Sequence, residues 1–193
     1  MRLRHVLGIL GLASLLGADP VVRAPGELPV LLLPLRPSVI PKYTELDPST
    51  GLHMTGTPQF INASTWHLRI SGKVDHPQSL GYDELRRMPR LANGDPLICQ
   101  GNFEDYAHWA GADLLAVLDR AGLRPNARTL ELVSADGYRA EVSLADARRV
   151  HAFLAYEWEG KALPELHGYP VRAIFPGTPG YNWVKWLVEI RVQ

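Results

Sequence analysis

At the C-terminal end of the chain, Val184, Trp186, Val188, Ile190 and Val192 alternate with Lys185, Glu189 and Arg191. A period of two fits a strand with one buried and one wetted face, and it predicts a closing strand over residues 184–192. The same period recurs where Trp66, Leu68 and Ile70 alternate with His67, Arg69 and Ser71 up to Gly72. Further strands are expected at 129–133 and 138–142, joined by an Asp136-Gly137 hairpin turn, and at 153–158 and 171–175. Helical signals are short. Residues 79–88 run into Pro89, Ser143 caps a segment ending at Arg149, and Asp113 caps a segment whose Leu114, Val117, Leu118 and Ala121 share one face before Gly122. Sixteen prolines and seventeen glycines supply the breaks between these pieces. The expected fold is therefore α+β, with β-rich mixed sheets and a few short helices, over residues 52–193. The many turn residues favour this over a helix bundle.

Ahead of that domain, Met1 to His5 is basic and Val6 to Ala18 is apolar and uncharged. This is the n-region and h-region order of a secretory signal, and it falls short of the roughly 20 residues of a membrane span. Leu16 stands where a small residue would complete a cleavage site, and Leu3 separates Arg2 from Arg4, so no twin-arginine signal is present. Residues 1–25 are read as a signal peptide or an uncleaved membrane anchor. Residues 26–51 are read as a proline-rich linker or a strap on the domain. The expected address is exported: periplasmic, or anchored on the outer face of the cytoplasmic membrane.

Twenty basic and twenty acidic residues balance to zero, so no nucleic-acid surface is expected. Cys99 is the single cysteine, which rules out an internal disulfide and any C-x-x-C site. It lies where the extended run Pro96-Leu97-Ile98 meets Gly101-Asn102, a strand-to-loop junction of the kind that carries chemistry. Two readings stand side by side. Cys99 is a small buried hydrophobe, or it is a soft thiolate whose metal takes its other ligands from a cofactor. Near the C-terminus, His167 and Arg172 flank a turn and Lys185 follows Asn182-Trp183-Val184. Together they make a phosphate or polyanion site. Singly they are a turn histidine, a strand-edge charge and a solvated strand face.

Five segments occur in one order: Cys99-Gln100-Gly101-Asn102, Trp109-Ala110-Gly111, Leu154-Ala155-Tyr156-Glu157, Leu163-Pro164 with His167-Gly168-Tyr169-Pro170-Val171-Arg172, and Val184-Lys185-Trp186-Leu187. Over roughly residues 57–193 the chain thereby resembles the sulfite oxidase family, the molybdopterin-binding domain of sulfite oxidases and periplasmic methionine-sulfoxide reductases. The resemblance implies a sulfite oxidase-like fold and a molybdenum–molybdopterin cofactor without haem. It implies that Cys99 ligates molybdenum and that Asn102, Ser134, His167, Arg172, Trp183, Val184 and Lys185 hold the pterin and its phosphate. Tyr138 matches the active-site tyrosine. The implied reaction moves an oxygen atom at molybdenum, with a small oxide or oxyanion as substrate. Two electrons are exchanged with a separate protein, a cytochrome or a membrane haem or quinol protein.

The chain also departs from the family. Phe103 and Glu104 replace an arginine pair, and the residues ahead of the first strand, Gln59-Phe60-Ile61-Asn62, offer no arginine. Sulfite is an anion, so sulfoxide-type reduction is favoured over a sulfite dehydrogenase using a cytochrome. Arg69 and Arg139 are the arginines that could restore the missing charge. A non-catalytic binding module built on the same fold is the alternative of a different class.

Overall fold

The computed structural model describes residues 45–193. The expectations for the signal or anchor segment, and for the linker up to residue 44, lie outside the described residues. Among the described residues no helix is long and apolar enough to cross a membrane.

In chain order the elements are β1 (His67–Gly72), β2 (Gln78–Gly81), α1 (Tyr82–Arg86), β3 (Arg90–Asn93), β4 (Leu97–Cys99), β5 (Phe103–Asp105), β6 (Trp109–Asp113), α2 (Leu114–Ala121), β7 (Thr129–Ser134), β8 (Arg139–Ser143), α3 (Leu144–Arg149), β9 (Phe153–Trp158), β10 (Lys161–Ala162), β11 (Arg172–Ile174) and β12 (Leu187–Val192). A five-stranded sheet runs β2-β1-β12-β7-β8. Its β1–β12 pair is parallel and its other pairs are antiparallel. A second sheet runs β10-β9-β6-β3, with β11 also pairing with β9, and β4 and β5 form a separate hairpin. The α+β expectation holds.

Local chemistry explains most of the elements. The Asp113 carboxylate accepts from Leu115 N at 2.9 Å to start α2, and Gly122 ends it in a left-handed conformation. Its Leu114, Val117, Leu118 and Ala121 are all buried, as their spacing predicts. Ser143 caps α3 by accepting from Asp146 N at 2.9 Å. Trp66, Leu68 and Ile70 are buried at the start of the first sheet, and the Trp66 indole N–H donates to Leu187 O at 3.0 Å.

Two expectations are corrected. Residues 79–88 are not one helix: Gln78–Gly81 pairs with β1, and only Tyr82–Arg86 is helical. Pairing with β1 satisfies the backbone there in place of one more turn of helix. The closing strand also begins later than its alternation suggested. Trp186 has a positive φ of 47°, and the register with β7 shifts between Leu187 and Glu189. The bulge sets Leu187 on the core face with Ile190 and Val192. It leaves 184–186 free to line a cavity.

On the opposite face, Glu189 is 4% exposed and forms the hub of an ion network. It accepts from Arg69 through both oxygens at 2.8 and 2.7 Å, from Ser71 at 3.1 Å, and pairs with Arg191 at 2.8 Å. The Arg69 hydrogen bonds, helped by Arg191 and Ser71 and opposed by burial, draw its carboxyl from the ordinary 4.5 down to about 2. A folded-state pKa below the unfolded one contributes stability above about pH 4.5 that is lost as pH falls through about 2. Glu189→Gln is thus expected to cost about 1–3 kcal/mol at pH 7. Urea titrations at several pH values should show that deficit shrinking below pH 4.5. An unchanged deficit at pH 2–3 would contradict this account.

Candidate functional site

One cavity of about 600 Å³ gathers chain segments far apart in sequence. Three of its walls come from loops at strand ends, and the fourth from the segment that precedes β1.

The first wall is the β4–β5 hairpin. Cys99 pairs with Phe103 across it, and Asn102 N donates to Cys99 O at 2.9 Å to close the loop. The Asn102 side-chain amide lies 3.6 Å from Cys99 Sγ and donates to Gln100 O at 3.3 Å. Alternation along β4 puts Leu97 and Cys99 on the cavity side and Ile98 outside. Cys99 is a partly exposed residue of this wall that also packs against the edge of the core. Alternation along β5 separates the two carboxylates that follow Phe103. Asp105 turns inward at 6% exposure, whereas Glu104 accepts a hydrogen bond from the exposed Tyr106 at 2.8 Å.

The second wall is the turn between β7 and β8. Asp136 accepts from Tyr138 N at 3.0 Å and from Thr57 N at 3.2 Å, and Ser134 Oγ accepts from Asp136 N at 3.3 Å. The Tyr138 hydroxyl donates to Tyr181 O at 2.9 Å. Burial, then Tyr181 and Asp136, raise the Tyr138 pKa above 10, so the phenol keeps its proton at neutral pH.

The third wall holds the cations. A 3-10 turn at Glu165–His167 ends at Gly168, whose φ is +113°. A Cβ there would come within 3.0 Å of the Arg172 side chain and 3.1 Å of Lys185 Cα, so glycine lets these segments close together. Arg172 is buried, donates to His167 O and Trp183 O at 3.3 and 3.2 Å, and lies 4.8 and 6.0 Å from the ring centroids of Trp109 and Trp183. Among the described residues its Nε has no hydrogen-bond partner. Lys185 Nζ donates to Leu166 O at 3.1 Å and to Thr55 O, and sits over the Trp186 ring. Burial pushes Arg172 down to about 10. Burial and then Arg172 push Lys185 down to about 7.

The fourth wall is the loop from Glu45 to Gly56, closed by the Met54 N to Glu45 O bond at 2.9 Å. Asp47 is buried and lies 3.0 Å from His167 Nε2. A carboxylate only accepts, so Nε2 carries the proton and Nδ1 is left as an acceptor. Burial first, then Lys185 and Arg172, lower the His167 pKa to about 3 and keep the ring neutral.

All nine residues singled out from the sequence line this cavity: Cys99, Asn102, Ser134, Tyr138, His167, Arg172, Trp183, Val184 and Lys185. Arg69 and Arg139 do not. They pair with Glu189 and Glu131 on the first sheet. The sequence analysis assigned no role to His53, Thr55 or Gly56, which also line the cavity, and Asp136 was read only as a turn former. No period marks these positions, and their contacts span 52 to 130 residues.

The cavity fits an anionic, metal-bearing organic cofactor. Among the described residues no counter-ion is bonded to the buried Arg172 or to the half-buried Lys185 near it, and Arg172 Nε has no partner, so a phosphate would relieve what burial costs. Among the described residues no cluster of three His, Cys, Asp or Glu could hold a metal alone. A metal beside Cys99 would then take most of its ligands from the cofactor, with one soft sulfur from the protein. Because Lys185 loses its proton near pH 7 when no anion is bound, anion affinity should fall by up to tenfold per pH unit above that value. Calorimetry of cofactor-free protein with sulfate, whose charge is constant there, should show this slope. A flat profile from pH 7 to 9 would remove Lys185 from the anion site.

Residues 53–193 match the oxidoreductase molybdopterin binding domain. The chain is 27% identical over 141 residues to the uncharacterized oxidoreductase YuiH of Bacillus subtilis, covering 72% of this chain and 71% of that protein. It is 32% identical over 164 residues to mitochondrial sulfite oxidase of Homo sapiens, covering 69% and 30% of the two chains. It is 24% identical over 132 residues to a putative protein-methionine-sulfoxide reductase subunit, YedZ1, of Azospira oryzae, covering 68% and 50%. The chain thus spans about a third of the human sulfite oxidase and half of the Azospira protein. Among solved structures, the sulfane dehydrogenase SoxCD from Paracoccus pantotrophus shares the fold, with a TM-score of 0.66 at 23% identity over 76% of this chain and 46% of that one.

Proposed function

This chain belongs to the oxidoreductase molybdopterin-binding domain family and is by class a molybdenum oxidoreductase, and from that premise we propose that it transfers an oxygen atom to or from a small oxide. The observation that carries the reading is the convergence of Cys99 with Arg172, Lys185 and His167 on one cavity. Molybdopterin, when bound, supplies the two-electron oxygen-transfer chemistry. Arg172 and Lys185 would neutralise its phosphate, and His167, fixed as an acceptor at Nδ1 by Asp47, would take a ring N–H. Asn102, Ser134 and the 183–184 backbone would complete the pterin wall, and the Cys99 thiolate would be the protein's ligand to the metal. Tyr138, protonated and 45% exposed at the cavity edge, bounds the space left for substrate.

Reduction of an uncharged oxide of sulfoxide type is the favoured direction. With a cofactor phosphate on Arg172 and Lys185, and with Asp105 and Asp136 on the same walls, the cavity would keep no surplus positive charge to draw in sulfite. The electron partner is a separate carrier, a cytochrome or a membrane haem or quinol protein. The basic and apolar pattern of residues 1–18 supports an exported, periplasmic or membrane-anchored location.

Protein purified from a molybdate-supplied host tests the reading. Near-stoichiometric molybdenum, with pterin fluorescence released on denaturation, is expected. With a reduced dye as electron source, dimethyl sulfoxide should be turned over. Folded protein without metal would favour the non-catalytic module, and efficient sulfite oxidation with a cytochrome acceptor would replace the substrate assignment.

A further inference from the structure

We propose that residues 45–54 are a positioning clip that ties the wall carrying Cys99 to the wall carrying the cations, and so fixes the span between metal ligand and phosphate anchor; this rests on the molybdenum reading above and deepens it. The topology creates the need. The β4–β5 hairpin that presents Cys99 joins neither of the two large sheets. On one side it leans on the turn at Gly180–Asn182, through a bridge between Ile98 and Pro179 and a Leu97 contact too close for a Cβ on Gly180. Its inward face, where alternation places Leu97, Cys99, Phe103 and Asp105, takes a second support from His53. His53 N lies 3.2 and 3.1 Å from the Asp105 carboxylate oxygens, and His53 Nδ1 lies 2.7 Å from Oδ1. A carboxylate accepts, so both nitrogens donate. The ring also stacks on Phe103 with centroids 4.3 Å apart, and Phe103 is the cross-strand partner of Cys99.

Asp47 holds the opposite wall. Its Oδ2 and Thr50 Oγ1 each lie 3.0 Å from His167 Nε2. His167 ends the turn on which both cations rest: Arg172 donates to His167 O at 3.3 Å, and Lys185 to Leu166 O at 3.1 Å. Between its two arms the clip is stiff. Leu46 and His53 form an antiparallel bridge, and Asp47 N to Leu52 O and Met54 N to Glu45 O are both 2.9 Å. Leu52 and Met54 are buried, and Ser49 N and Oγ pin the Asp47 carboxylate at 2.9 and 2.7 Å. Asp47 and His53 are one step of register apart, so their side chains reach different walls while a shift of one arm is passed to the other.

A cofactor gripped by its phosphate at one end and by a thiolate at the other needs those two anchors at a set separation. Misplacing a reacting centre by about 1 Å costs on the order of a hundredfold in rate. The clip supplies that separation by bonds to both walls. Its Asp47 arm precedes residues 53–193, the span that matches the family domain, so the match itself assigns this arm no part in the site.

The test uses the full chain, both cofactor-free and loaded, with Asp47→Ala, His53→Ala and the double variant. Among the described residues no hydrogen bond links Asp47 to the Cys99 hairpin, so an effect there must travel through the clip. In cofactor-free Asp47→Ala, the amides of 97–105 should exchange with deuterium about tenfold faster than in wild type, with those of β7 and β12 unchanged. The double variant should add little to either single change, because both cut one connection. In the loaded variants, X-ray absorption should count fewer sulfur ligands per molybdenum, and turnover per molybdenum should fall about ten- to a hundredfold. Faster exchange confined to residues 165–168 in Asp47→Ala, or additive effects in the double variant, overturns this inference alone when the wild type loads normally. Should a variant fail to fold, wild-type exchange under rising denaturant decides: the amides of Asp47, Met54 and Asn102 should open together, and separate openings overturn the clip. Wild type without molybdenum overturns the underlying reading and this inference with it.

Discussion

Cys99→Ser is expected to abolish oxygen transfer while leaving a folded protein that still contains pterin. The two side chains are close in volume, and the hairpin that presents residue 99 is closed by backbone bonds that do not involve the sulfur, Asn102 N to Cys99 O among them. Unfolding should therefore change little. What changes is the donor: a soft thiolate is replaced by a hard, poorly acidic hydroxyl. The cofactor would still be held by the cations on the opposite segment, so pterin released on denaturation should stay near the wild-type level while turnover disappears. A cysteine that only filled space would behave otherwise. Its removal would cost about 1–3 kcal/mol of stability and spare the activity. The partial exposure of Cys99 on a cavity wall already opposes that account. Steady-state assays with metal and pterin analysis decide it, and comparable turnover in two metal-loaded proteins would defeat the assignment.

Much of this site was legible because its residue types are scarce or strongly charged and their order in the chain is informative. A lone cysteine at a strand end and a His, Arg and Lys set around the last strands left the space-filling and solvated readings open, and it is the order of five short segments, resembling a known family, that turned the expectation toward a metal and a phosphate. The helix with face Leu114, Val117, Leu118 and Ala121 and the hairpin at Asp136-Gly137 were legible for another reason: period and caps are local. The unread features are those that only tertiary contacts define. Asp47 meets His167 across 120 residues, and His53 meets Asp105 across 52. Glu104 and Asp105 look alike as neighbours, yet one step of the β5 pleat sends the first to solvent and the second into the cavity. The end of the chain shows the limit of periodicity itself. The pattern from Val184 to Val192 reads as one strand, but the left-handed Trp186 and the bulge at Val188 divide it into a cavity wall and a strand. That division is what allows Lys185 to serve the cavity and not a solvated sheet face.

Arg172→Met is expected to lower cofactor occupancy at least tenfold with only a small change in the stability of the cofactor-free protein. Two opposing effects set the second half of that statement. The substitution leaves the carbonyls of His167 and Trp183 without their donor, at about 1 kcal/mol each. It also removes a buried cation whose pKa burial has pushed down to about 10, which relieves the folded state and eases Lys185 beside it. Binding has no such compensation. A phosphate brought beside Lys185 would lose the guanidinium and its unpartnered Nε, and truncating one side of a buried charge pair costs about 2–5 kcal/mol. That range corresponds to roughly 30- to several-thousand-fold in affinity. Turnover per molybdenum in the residual loaded fraction should stay within a few-fold of wild type, because the proposed role of Arg172 is to anchor the cofactor and not to touch the substrate. Pterin fluorescence after denaturation, molybdenum content and urea unfolding of the cofactor-free form measure the three quantities separately. Full occupancy in the variant, or a loss of turnover per metal as large as the loss of metal, would contradict the anchoring role.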